Sequence, residues 1–88
     1  MQPHPYEAQM LAFSDAYPLA VRMFDGADLF DEGAWSANAD AWTYLHDEWC
    51  TANGPEFLRF WDLSCFLSAF FQSTKGGKLT LRPKFRKA

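Results

Sequence analysis

Three side chains of this sequence belong to types that bind soft metals or act as nucleophiles: His46, Cys50 and Cys65. His46 and Cys50 are four positions apart, so a helix would place them on one face. Together the three side chains offer ligands for zinc, but no CxxC or HxxxH spacing accompanies them. Asp47 and Glu48 make the surroundings electronegative, which disfavours a reactive thiolate. We therefore predict two reduced, buried thiols, no metal site, no cofactor and no enzymatic activity.

The acidic segment 25–33, DGADLFDEG, is the second place where chemistry could be expected. A calcium loop requires carboxylates at alternating positions and glycine at the sixth. Counted from Asp25, the third and fifth positions hold Ala27 and Leu29, and the sixth holds Phe30. The segment does not fit calcium. It is predicted to be a loop whose carboxylates face solvent.

Two further acids, Asp47 and Glu48, are expected near the C-terminal end of a helix, where negative charge opposes the helix dipole. Departures from local rules occur preferentially at functional sites. With the acidic loop and the neighbouring tryptophans, these acids are interpreted as a contact surface for a basic partner protein. Its predicted members are Asp25, Asp28, Asp31, Glu32, Trp42, Asp47, Glu48 and Trp49.

Trp35, Trp42 and Trp49 recur at seven-residue intervals, which draws one aromatic stripe along a helix. The stripe has two interpretations. It belongs either to the hydrophobic core or to a surface shared with a partner helix or a second copy.

The elements that must position these residues are predicted to be helices. Apolar spacing and the prolines indicate helices over residues 5–16, 18–24, 34–52 and 55–73, with Gly33 or Ser36 as the N-cap of the third. The first two are either separate helices or one helix kinked at Pro18. Asn53-Gly54-Pro55 predicts a stop and a restart.

After Gly76-Gly77, the alternation at 79–81 predicts a short strand, which Pro83 would limit to an edge. The predicted fold is all-α, three to four helices around an aromatic core, with an extended basic tail. The alternative is α+β, with residues 78–81 in a small hairpin. Residues 1–74 are predicted to form the domain and 75–88 the tail.

Charge divides the 88-residue chain unevenly. All eleven acids and only two of the eight bases precede residue 75. An acidic body would repel phosphates, and KGGK lacks the spacing of a phosphate-binding loop. Nucleic-acid binding through the tail is nevertheless an alternative, carried by Lys78, Arg82, Lys84, Arg86 and Lys87.

Aromatic residues make up 18% of the chain, more rings than so short a chain readily buries. No stretch reaches the length of a membrane span, and the expected compartment is the cytoplasm. The short, acidic, aromatic-rich profile without a catalytic motif resembles that of phage-encoded inhibitors such as anti-CRISPR proteins, and that of bacterial immunity proteins. The function predicted first, from the acidic contact surface, is a stoichiometric inhibitor that blocks a basic surface of another macromolecule. A structural subunit that dimerises through its last helix is a further alternative.

Overall fold

Four α-helices and a two-stranded antiparallel hairpin make up the residues that the computed structural model describes, 6–54 and 61–86. The structure is mostly helical, as the all-α prediction requires, but the hairpin departs from that prediction and is consistent with the α+β alternative. The helices are α1 (Glu7–Ala16), α2 (Leu19–Arg22), α3 (Glu32–Asn53) and α4 (Leu63–Phe70); the strands are β1 (Phe71–Ser73) and β2 (Leu79–Leu81), followed by a 3-10 turn at Pro83–Phe85.

α1 and α2 are separate helices on either side of Pro18, where the sequence predicted an interruption. Proline lacks an N–H and its ring clashes with the preceding turn, so it ends one helix and suits the start of the next. α1 buries Met10 and Phe13, and α2 buries Ala20. The predicted start of the first helix at Pro5 lies outside the described residues.

α3 begins earlier than predicted, because its N-cap is Asp31 and neither Gly33 nor Ser36. The Asp31 carboxylate accepts a hydrogen bond from the Ala34 N–H at 3.2 Å, which satisfies one of the unpaired donors of the first turn. The helix ends at Asn53, one residue beyond prediction. Gly54 follows with a φ of 126°, a conformation that favours glycine.

The last predicted helix, 55–73, is wrong at its C-terminal end. α4 stops at Phe70, and residues 71–73 form β1. α4 begins at Leu63 because Asp62, in extended conformation, accepts a hydrogen bond from the Cys65 N–H at 3.0 Å. Residues 55–60 of the prediction lie outside the described part of the chain.

The described sheet has two strands, so β2 is an edge strand, as predicted, although its other side also forms backbone hydrogen bonds at Leu79. On one side it pairs with β1 in the register Phe71↔Leu81, Gln72↔Thr80 and Ser73↔Leu79. On the other side, Leu79 accepts a hydrogen bond from the Gly26 N–H (2.8 Å) and donates one to the Ala27 carbonyl (2.9 Å). These backbone hydrogen bonds join the acidic segment to the basic C-terminal part of the described chain.

Aromatic rings form the core. Phe13 lies at its centre, with ring centroids 5.3–5.9 Å from those of Trp42, His46, Trp49, Trp61 and Phe66. All five contacts are edge-to-face, the arrangement that ring quadrupoles favour. The buried apolar residues are Met10, Phe13, Ala20, Phe24, Trp42, Trp49, Cys50, Trp61, Phe66, Phe70, Phe71 and Leu79.

Candidate protein-contact surface

His46 and Cys50 lie together inside the core. The Cys50 Sγ is 3.3 Å from the His46 Nε2, and the imidazole stacks on the Trp42 ring with centroids 4.8 Å apart. Burial lowers the pKa of His46 against the opposing charges of Asp47 and Asp62. Burial, reinforced by the Asp47 charge, raises the pKa of the Cys50 thiol. Both shifts favour the uncharged forms of the two side chains, as burial in the core requires.

Both cysteines are free: Cys50 is buried and Cys65, on α4, is half-buried. In the described residues, no group of three His, Cys, Asp or Glu side chains is arranged to hold a metal ion. His46, Cys50 and Cys65 therefore do not form the three-ligand set that zinc would require.

The tryptophan stripe belongs to the core. Trp42 and Trp49 are buried, and Trp35 is half-buried with its ring 5.3 Å from that of Phe24. The proposed role of Trp42 and Trp49 in an exposed contact surface is therefore corrected. Their faces already contact other rings of the domain and are not presented to a docking protein.

The four acids of segment 25–32 are exposed: Asp25, Asp28 and Asp31 precede α3, and Glu32 is its first residue. Asp25 accepts a hydrogen bond from the Leu81 N–H at 3.3 Å, and Asp28 accepts one from the Phe30 N–H at 2.9 Å. Asp31 caps α3, and Glu32 follows in its first turn, where negative charge complements the dipole. We call the segment 25–32, which contains these four acids, the acidic loop.

Asp47 and Glu48 are also exposed, but they form a separate patch on α3. Sixteen positions separate Asp31 from Asp47, which is roughly 24 Å along a helix axis. Beside them, a shallow depression of about 340 Å³ is lined by Tyr44, Thr51 and Ala52. The predicted single acidic surface is thus divided between the two ends of α3.

The dipole argument for Asp47 and Glu48 is weakened by the observed end of α3. The helix continues to Asn53, so both acids lie outside its last turn, where the effect of the dipole is concentrated. Glu48 has another neighbour: burial, and after it the charge and hydrogen bonding of the Glu48 carboxylate, raise the pKa of Tyr17 above 10.0. Two tyrosines, Tyr17 and Tyr44, therefore accompany this patch.

Sequence reasoning did not single out the exposed rings. Phe30 is 78% exposed in the acidic loop, and Tyr44 is 69% exposed beside Asp47 and Glu48. Leu29, next to Phe30, is 36% exposed. A signal was present, since Leu29 and Phe30 lie between aspartates in a segment already predicted to be a loop.

Three basic side chains of the nucleic-acid alternative, those of Arg82, Lys84 and Arg86, contact other groups of the domain. Arg82 donates two hydrogen bonds to the Ser68 carbonyl, and Arg86 donates one to the Leu81 carbonyl. Lys84 forms an ion pair with Glu7 at 2.6 Å, and Lys78 lies in a backbone bridge opposite Asp28. Lys87 lies outside the described residues.

Among the residues that the structure describes, no helix has both the length and the apolar character needed to cross a bilayer. Comparison of the chain with protein-family models, with curated proteins and with solved structures gave no match.

Proposed function

We propose that this protein is a non-enzymatic binding module, a small stoichiometric inhibitor that occupies a basic surface of another protein. The observation that supports the proposal is that most exposed carboxylates of the described residues form no ion pair with a basic side chain. Within residues 6–54 and 61–86, the single ion pair joins Lys84 to Glu7. The exposed carboxylates of the acidic loop and of α3 are left without a basic partner there.

This charge distribution suits a basic partner for a physical reason. Residues 23–58 contain eight acids and no lysine or arginine. An uninterrupted negative field speeds encounter with a positive surface and disfavours partners of like charge.

Two alternatives receive less support. Nucleic-acid binding needs free bases, whereas Arg82, Lys84 and Arg86 already contact other groups of the domain. Dimerisation through the last helix needs an apolar outer face. α4 instead buries Phe66 and Phe70 in the core.

Charge reversal tests the proposal once a partner has been captured from the native lysate and purified. We expect Asp47→Lys with Glu48→Lys to weaken binding at least about tenfold, and to leave folding intact. Asp28→Lys with Glu32→Lys should do the same if both acidic patches contact the partner. Calorimetry at low and moderate salt measures the affinities, and circular dichroism measures folding.

Asp15→Lys is the matched control, because Asp15 is an exposed acid on α1, outside both patches. Its effect should stay within about twofold. Unchanged affinity in both double variants would contradict the proposal. A mobility shift of generic DNA or RNA at low salt would favour the nucleic-acid alternative instead.

A further inference from the structure

The acidic loop holds an aromatic side chain outside the core while its backbone is held firmly in place. Leu29 donates a hydrogen bond from its N–H to the Gly77 carbonyl at 2.9 Å, and Gly26 and Ala27 bond to Leu79 on β2. Phe30 itself is 78% exposed. The ring is therefore exposed even though hydrogen bonds hold the backbone of its loop against the hairpin.

One edge of the Phe30 ring lies over the backbone of Gly77, so close that a methyl group at Gly77 would collide with it. Gly77 is buried as a result. The ring thus contacts the hairpin turn along one edge, and most of its surface is exposed. Because this arrangement is formed on folding, a partner need not bear the cost of ordering it.

The acidic residues beside Phe30 indicate the charge that a partner protein must carry around a pocket that binds this ring. Asp28, Asp31 and Glu32 lie within two positions of Phe30, and all three are exposed. An apolar pocket bordered by acids would repel them, whereas one bordered by lysine or arginine would attract them. Large aromatic side chains that enter such pockets are typical of interface hot spots.

We infer that Phe30 is the anchor of the interface, inserting with Leu29 into an apolar pocket of the partner protein that is bordered by basic side chains. The inference rests on the proposed function and makes it specific. The carboxylates bring the two surfaces together, and burial of the ring slows their separation.

Synthetic peptides test the inference. The first probe is a helical peptide of leucine and lysine, whose leucine face is bordered by lysines. The second is an oligolysine with the same number of lysines, which supplies charge alone. Wild-type protein should bind the first at least about tenfold more tightly than the second, as measured by calorimetry.

Phe30→Ala should remove this preference and leave oligolysine binding unchanged. Phe30→Leu should restore part of it, because an apolar side chain is retained. Leu19→Ala is the control: it removes an apolar side chain that is 60% exposed on α2, outside both acidic patches, and should keep the preference. Amide chemical shifts of residues 26–29 and 77–79 verify that the loop stays fastened in each variant.

The outcomes separate the inference from the proposed function. Equal binding of both peptides by wild type, or an undiminished preference in Phe30→Ala, overturns the anchor but leaves the basic-partner proposal standing. Loss of both peptides in Phe30→Ala also overturns it, since the ring would then act through the fold. Binding of neither peptide by wild type contradicts both. A wild-type homodimer that Phe30→Ala dissociates, seen by light scattering, would identify a second copy as the occupant and overturn the assignment of a basic pocket.

Discussion

His46 has an imidazole enclosed by rings. Its centroid lies 4.2 Å from that of Trp61 and 4.8 Å from that of Trp42, and Phe13 meets it edge-on. Such surroundings solvate a charge poorly, which is why burial lowers the pKa of this histidine despite Asp47 and Asp62. The same enclosure places His46 and Cys50 together in the core.

We expect the free energy of unfolding to fall as the pH is lowered below about 6.5, the ordinary pKa of histidine. In that range the unfolded chain binds a proton at His46 while the folded chain resists it, so protonation favours unfolding. The loss continues until the pH falls through the lower, folded-state pKa. Urea unfolding between about pH 7.5 and pH 5 measures the slope.

His46→Gln removes the titrating group and should flatten this slope, even though the variant is less stable throughout. Asp62 does not confound the measurement. The Cys65 N–H lowers its pKa from 3.8, so its contribution is lost only in more acidic solution. A slope of equal size in His46→Gln would show that another group is responsible.

At the scale of elements, the hairpin turn explains how the two ends of the sequence meet. The Thr74 N–H donates to the Lys78 carbonyl, and the Gly77 N–H donates to the Thr74 carbonyl. Gly77 adopts a φ of 79°, which closes the turn in the manner of a five-residue hairpin loop with a left-handed residue. The turn therefore sets the register of β1 against β2 and also supports Phe30.

Gly77→Ala should destabilise the protein by more than about 1 kcal/mol, because alanine is strained at positive φ and its methyl group would displace the Phe30 ring. Gly76→Ala is the control next to it. There the nearest atom to a new Cβ is the Thr74 Oγ1 at 3.9 Å, an ordinary contact. Thermal unfolding compares the two variants, and equal melting temperatures would contradict the expectation.

At the scale of the whole molecule, the acidic and basic parts of the sequence, which meet at residue 75, do not form structurally separate units in the described chain. Leu79 is buried in the core, and β2 bonds both to β1 and to the acidic segment. Arg82 donates its N–H to the Phe70 carbonyl at the end of α4. The basic residues 75–86 thus contribute contacts to the acidic body.

Deletion of residues 75–88 should lower the free energy of unfolding by more than about 3 kcal/mol, through the lost burial of Leu79 and several backbone hydrogen bonds. The full-length variant Lys75→Gln with Lys78→Gln is the control, since both lysines are exposed and the chain remains. It should keep its stability. A deletion variant that unfolds cooperatively at the wild-type temperature would show residues 1–74 to be an independent domain.

The sequence by itself determined the features that depend on neighbouring residues. Pro18 separated two helices because its ring cannot continue the first, and Gly54 ended α3 because it accepts a positive φ. The acidic loop was recognisable from the density of its carboxylates. For this reason the order of helices, the loop and the location of the acids were predicted from local signals.

Only the tertiary structure decided where distant segments met. Phe71 left the helix because pairing with Leu81 was available in the folded chain, a contact that apolar spacing within one segment does not reveal. Trp42 and Trp49 are buried in the core, whereas Phe30 is exposed. The difference depends on which helix faces pack against one another, which the spacing of apolar residues does not give. The length of α3 likewise separated Asp31 from Asp47, dividing one predicted acidic surface into two.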